Sequence, residues 1–231
     1  MTEQPTNALP GGSLIQRKYY IMGSSGFARE IKAYIRELHV PQDNIVFVDD
    51  NSSDAIGINK YHEEVNLDRS AVTILGSGKP EIKIKMLKQV VGHFYKLIHP
   101  RSIVSPLATV GIGSVIAPGA VVSPHSIVSE HVLINYNSTV GHDAIIGSLA
   151  VVSPNASIGG WVRIGEGTYI GSGAQIREKL DIGHNVVVGM GAVVTKDVPD
   201  THVAIGNPAK LYTKEEWNRR VANGKGKDPG N

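Results

Sequence analysis

Every sixth residue from Ile98 to Val194 is isoleucine or valine, through Val104, Val110, Ile116 and onward without an exception. Four residues after each stands Ser, Ala, Thr, Val or Leu, from Ser102 to Val198, and never a charge. A period of six is neither the 3.6 of a packed helix nor the 2 of a two-sided strand. It describes a solenoid, in which each repeat buries its inner face only against its neighbours. Taking three hexads to a triangular coil of eighteen residues, seventeen hexads make nearly six coils. At about 4.8 Å per coil the prism is roughly 27 Å long. Chemistry is then confined to the outward turns.

Composition narrows the function classes. The chain has 231 residues with no cysteine, which excludes disulfides, thiolate metal sites and a cysteine nucleophile. Its 23 basic and 21 acidic residues form no basic run, so no nucleic-acid surface is expected. With 26 glycines and three phenylalanines it suits a turn-rich stack of small residues. No stretch approaches the roughly 20 apolar residues of a membrane span, and the start is polar. A cytoplasmic location is the default expectation.

Four segments follow. Residues 1–17 read as a flexible tail and residues 18–97 as a βαβαβ, Rossmann-like unit. Within it, Tyr19–Met22, Ile45–Val48 and Val72–Leu75 are expected strands, with helices from Ala28 to Leu38 and from Pro80 to about Val91. Residues 98–210 form the β-helix. Residues 211–231 comprise a capping helix, opened by the capping-box spacing of Thr213 and Glu216, and a second tail.

The loop Gly23-Ser-Ser-Gly26 ends the first strand at a helix N-terminus, a place where backbone N–H groups hold phosphate. It is no dinucleotide fingerprint, because Ala28 stands where a further glycine is needed and no G-x-G precedes it. Asp49 and Asp50 end the second strand, where carboxylates suit a base or ribose. Such loops and strand-end aspartates also occur as purely structural features of βα units. On the solenoid, His142 occupies the third position of its hexad, facing away from inward Val140 and Ala144. Alone it reads as a solvated turn histidine. Asp143 follows it, however, and Gly160 lies eighteen residues on, one coil above on the same edge. A base beside a bare backbone N–H is an acyl-transfer pair.

Together, Gly23-Ser-Ser-Gly26, Val48-Asp-Asp50 and the hexads containing Thr139-Val-Gly-His-Asp143 resemble the sugar O- and N-acyltransferases of the bacillosamine and perosamine N-acetyltransferase type. The resemblance spans about Tyr19 to Tyr212. It implies a left-handed parallel β-helix, a homotrimer with active sites between prisms, acetyl-CoA as co-substrate and no metal. It further implies His142 as base, Asp143 as its carboxylate and Gly160 as the amide facing the thioester carbonyl. Acetyl-CoA contacts fall on Gly160, Ser172 and Met190. Substrate contacts fall on Ser25, Gly26, Phe27, Asp49, Asp50 and Gly76. The chain departs from the group twice: Phe27 and Val151 stand where members usually carry histidines.

The expectation is an acetyl-CoA-dependent N-acetyltransferase acting on a nucleotide-linked amino sugar, with O-acetylation of a sialic-acid-like sugar as the alternative. A γ-type carbonic anhydrase on the same solenoid would need three convergent imidazoles, and Gly147 stands five residues beyond His142. A noncatalytic scaffold would leave the βαβαβ unit and the His142–Asp143–Gly160 column without a purpose. Acyltransferases of small amino acids or maltose-like sugars generally lack the N-terminal unit.

Overall fold

The computed structural model describes residues 14–224, and the chain divides into two compact units at Leu97 and Ile98. Residues 1–13 and 225–231, most of both expected tails, lie outside the described residues. Leu14–Gln16 form a 3-10 turn and Arg17 is buried.

The first unit is a parallel sheet of β1 (Tyr19–Met22), β2 (Ile45–Val48), β3 (Val72–Leu75) and β4 (His93–Phe94) in the order β2-β1-β3-β4. All four residues of β1 are buried, as befits a central parallel strand covered on both faces. Helix α1 (Gly26–Glu37) buries Ala28, Ile31, Tyr34 and Ile35. That one-sided stripe is what its spacing predicts. The sequence reading omitted a helix, α2 (Ile58–Leu67), which buries only Tyr61 and Val65. The last helix, α3 (Pro80–Leu87), is about one turn shorter than expected. Strand order reverses at β1, with β2 on one side and β3 on the other, so the crevice beyond their carboxyl ends is a topological switch point.

The second unit is a left-handed parallel β-helix with three faces of two-residue strands. One face stacks Thr109–Val110, Ile127–Val128, Ile145–Ile146, Arg163–Ile164 and Asp181–Ile182. Partners lie eighteen residues apart, as Thr139 with Ser157 and Val140 with Ile158. The hexad isoleucines and valines fill the prism axis, and Ile116, Ile134, Val140, Ile146 and Val152 are fully buried. Serines also occur inside because their hydroxyls are satisfied locally: Ser126 Oγ donates to the Ser123 carbonyl at 2.6 Å and Ser102 Oγ to that of His99 at 2.6 Å. The period shortens at the end: Ile182 bridges Val198 and Val187 pairs with Val203, each sixteen residues on. The strand Lys210–Tyr212 then pairs antiparallel with Val203–Ile205. Helix α4 (Lys214–Ala222) follows, with the Thr213–Glu216 capping box formed and Trp217 buried.

Candidate active site

Each hexad turn repeats one hydrogen-bond scheme. The second residue donates to the coil above, as Gly141 N–H to the Ile158 carbonyl at 2.9 Å. The fourth donates to the coil below, as Trp161 N–H to the His142 carbonyl at 3.0 Å. The third-position N–H has no backbone acceptor in this scheme, which leaves it available to a ligand wherever no side chain interferes.

At one edge the third position is His142, and directly above it is Gly160. A Cβ built on Gly160 would stand 2.8 Å from His142 Nε2 and 2.9 Å from Cε1, so a side chain there would displace the imidazole from this position. Asp143 Oδ2 lies 2.9 Å from His142 Nδ1. An ionised carboxylate only accepts, so Nδ1 carries a proton, and in the neutral ring Nε2 presents its lone pair. Asp143 reaches back to its neighbour because its backbone turns sharply, with φ at 58°, a region aspartate tolerates better than most residues. Both side chains are partly open to solvent, His142 at 50% and Asp143 at 39%. The Trp161 ring, unassigned in the sequence reading, meets the imidazole edge to face with centroids 4.3 Å apart.

Ser172 and Met190 stand on another edge. They turn between the eight-stranded and six-stranded faces, whereas His142 and Gly160 turn from the six-stranded to the five-stranded face. Met190 is 78% exposed. Within one chain a full prism face separates the two groups. A larger groove of about 650 Å³ runs past Arg163, Glu166, Asp181 and His184, and it includes neither His142 nor Gly160.

In the first unit, a hollow of about 160 Å³ is lined by Gly23, Asp49, Asp50, Asn51, Met86 and Gln89 among others. Ser24 Oγ donates to Asp49 Oδ2 at 2.7 Å, and Asn51 N–H to its other oxygen at 3.0 Å. The Ser24 hydroxyl, above all, holds the Asp49 carboxyl below its ordinary range. Asp50 Oδ1 accepts the Ile58 N–H at 2.8 Å and so caps α2. Ser25 Oγ donates to the Gly76 carbonyl at 3.2 Å. Gly76 itself is buried, and its N–H is spent on the Met22 carbonyl at 2.9 Å. A Cβ there would meet that carbonyl oxygen at 2.5 Å and Ala28 Cβ at 2.8 Å. Gly76 therefore brings strand and helix together, while Gly26 and half-buried Phe27 remain at the open end of α1. Asn51, Met86 and Gln89 escaped the sequence reading, the last two because nothing local shows that the chain around α3 returns to this loop.

Among the described residues no three His, Cys, Asp or Glu side chains are placed to hold a metal ion, and no helix is long and apolar enough to cross a membrane.

A prism of hexads preceded by a parallel sheet with helices is the architecture of the hexapeptide-repeat sugar acyltransferases. The comparisons agree. A model of the bacterial transferase hexapeptide family (six repeats) matches residues 162–196. A comparison with curated proteins finds no match. Among solved structures, the chain is similar to the acetyltransferase domain of PglB from Neisseria gonorrhoeae, at 31% identity and a TM-score of 0.78, covering 85% of this chain and 100% of that one. That domain is also known in complex with acetyl coenzyme A. The chain is likewise similar to perosamine N-acetyltransferase from Caulobacter crescentus, at 25% identity and a TM-score of 0.79, covering 88% and 100%. That structure is a histidine-to-asparagine mutant in complex with CoA and GDP-perosamine. WeeI from Acinetobacter baumannii matches at 25% identity and a TM-score of 0.75, covering 85% and 100%. The chain belongs to the hexapeptide-repeat sugar acyltransferase family.

Proposed function

We propose that this protein transfers the acetyl group of acetyl-CoA to the amine of a nucleotide-linked amino sugar, directly and within a ternary complex. The reading is carried by one observation: the His142 imidazole is held by Asp143 at Nδ1 while Nε2 faces the bare Gly160 backbone. A thioester is already activated, so neither a metal nor a covalent enzyme intermediate is needed. Nε2 takes the proton of the attacking amine, and Asp143 stabilises the resulting imidazolium. The Gly160 N–H donates to the thioester oxygen as negative charge develops on it. The complexes of the two relatives, one with acetyl coenzyme A and the other with CoA and GDP-perosamine, support both substrate classes.

The acceptor's nucleotide belongs at the switch-point crevice. Backbone N–H groups at Ser25 and Gly26 suit a phosphate, and the unengaged lone pairs of Asp49 and Asp50 suit a base or ribose. Phe27 at the helix entrance supplies an aromatic surface where relatives of this type usually carry histidine. Ser172 and Met190 contribute to the acetyl-CoA groove from a neighbouring copy in a homotrimer, because their own edge is a face away from His142. The deciding assay measures thiol release from acetyl-CoA against UDP-, dTDP- and GDP-linked amino sugars, with a sialic acid as the hydroxyl acceptor. Turnover with an amino-sugar nucleotide is expected. Turnover with the sialic acid alone would replace N- by O-acetylation, and no thiol release with any acceptor would reject the reading.

A further inference from the structure

We propose that Trp161 is a positioning residue for the His142 imidazole, an inference that rests on His142 being the base. The imidazole is held from three directions. Asp143 takes Nδ1, the Gly160 backbone confines the Nε2 edge, and the Trp161 ring stands against it at 4.3 Å with an interplanar angle of 87°. The Trp161 N–H also donates to the His142 carbonyl at 3.0 Å, so backbone and side chain of one residue grip both ends of the other. From the next coil Lys179 Nζ lies over the indole, 5.3 Å from its centroid, and limits the ring's own motion.

Nothing in the fold asks for tryptophan here. The fourth hexad position takes a positive φ, and elsewhere it holds residues that accept one, such as Asn137, Asn155, Asn185, Gly119 and Gly167. At Trp161 φ is 56°, a conformation that disfavours a bulky side chain. Leu149, at φ 65°, is 7% exposed and its packing explains it, while His125 and Lys179 take φ of 60° and 59° at exposed turns. Trp161 is 51% exposed, so burial does not explain its conformation. What sets Trp161 apart from those exposed residues is its ring, which lies against the imidazole, and that contact is what we take the disfavoured conformation to be kept for.

This separates the proposal from a structural role by sign. Trp161→Asn should fold with an unfolding temperature equal to or above that of the parent, because asparagine suits the turn. Its kcat should fall about fivefold to tenfold with KM for acetyl-CoA unchanged, a loss in keeping with one aromatic pair. Trp161→Phe should recover most of that loss. In a His142→Ala background the asparagine change should have no further effect. A readout needing no acceptor uses the chain's other tryptophan: in Trp217→Phe all indole emission comes from Trp161. That emission should change in intensity when His142→Ala is added, because the ring contact is then lost. A lowered unfolding temperature matching the activity loss, an undiminished effect in the His142→Ala background, or emission indifferent to His142 would each overturn the proposal. Full activity in His142→Ala would instead sink the assignment of the base, leaving the emission contact standing.

Discussion

His142 and Gly160 meet because one coil takes eighteen residues, arithmetic that a sequence displays openly. Two substitutions test the pair. His142→Ala is expected to lower kcat by at least about two orders of magnitude with the fold intact, as loss of a general base requires. Steady-state thiol release beside a far-ultraviolet spectrum checks this. Gly160→Ala places a methyl 2.8 Å from Nε2 and must push the imidazole aside. About a tenfold fall in kcat is expected, with the unfolding midpoint little changed because the site is at the surface. The Trp161 contact was not legible, since a residue's place in a hexad says which way it turns but not which rotamer brings its ring onto a neighbour.

Among the elements, the solenoid strands and capping box of α4 were readable because their signals are periodic or local. Helix α2 was not. Its N-cap is Gly57, which offers no side chain, and the carboxylate serving its first turn comes from Asp50, eight residues upstream of Ile58. Asp50→Ala should therefore destabilise the first unit by about 1 kcal/mol, measured by urea unfolding. If Asp50 also meets the nucleotide, KM for the acceptor rises in the same variant. Helix α3 buries Lys83, and burial lowers its ammonium from an ordinary 10.5 to about 7. Between those values the unfolded chain holds a proton that the folded chain has shed, so stability rises with pH through that window. Below it the full cost of the buried charge persists. Lys83→Met should accordingly raise the unfolding midpoint more near about pH 6 than near about pH 10, and equal gains at both would refute the assignment.

At the scale of the molecule, the residues proposed to serve one donor divide between edges: His142, Asp143 and Gly160 on one, Ser172 and Met190 on another. In the proposed homotrimer, a donor touching all of them would lie between two copies of the chain. The consequence is complementation. His142→Ala and a Ser172→Trp variant, each inactive when pure, should regain part of the parental activity after mixed refolding, because some interfaces then join two intact edges. No recovery from mixtures shown by mass to contain both chains would place the whole site within one prism.

Periodicity alone dictated the β-helix, the inward isoleucines and valines, and the shared edge of His142 and Gly160, because a repeat that buries only against its neighbours must keep one spacing throughout. Folding in three dimensions assigned what spacing does not encode. Asp50 became a helix cap, the Gly76 amide was consumed by a strand carbonyl, and Trp161 closed on the imidazole. Each of these depends on side-chain direction and on segments distant in sequence arriving within hydrogen-bond or van der Waals reach, and no period along a chain records either.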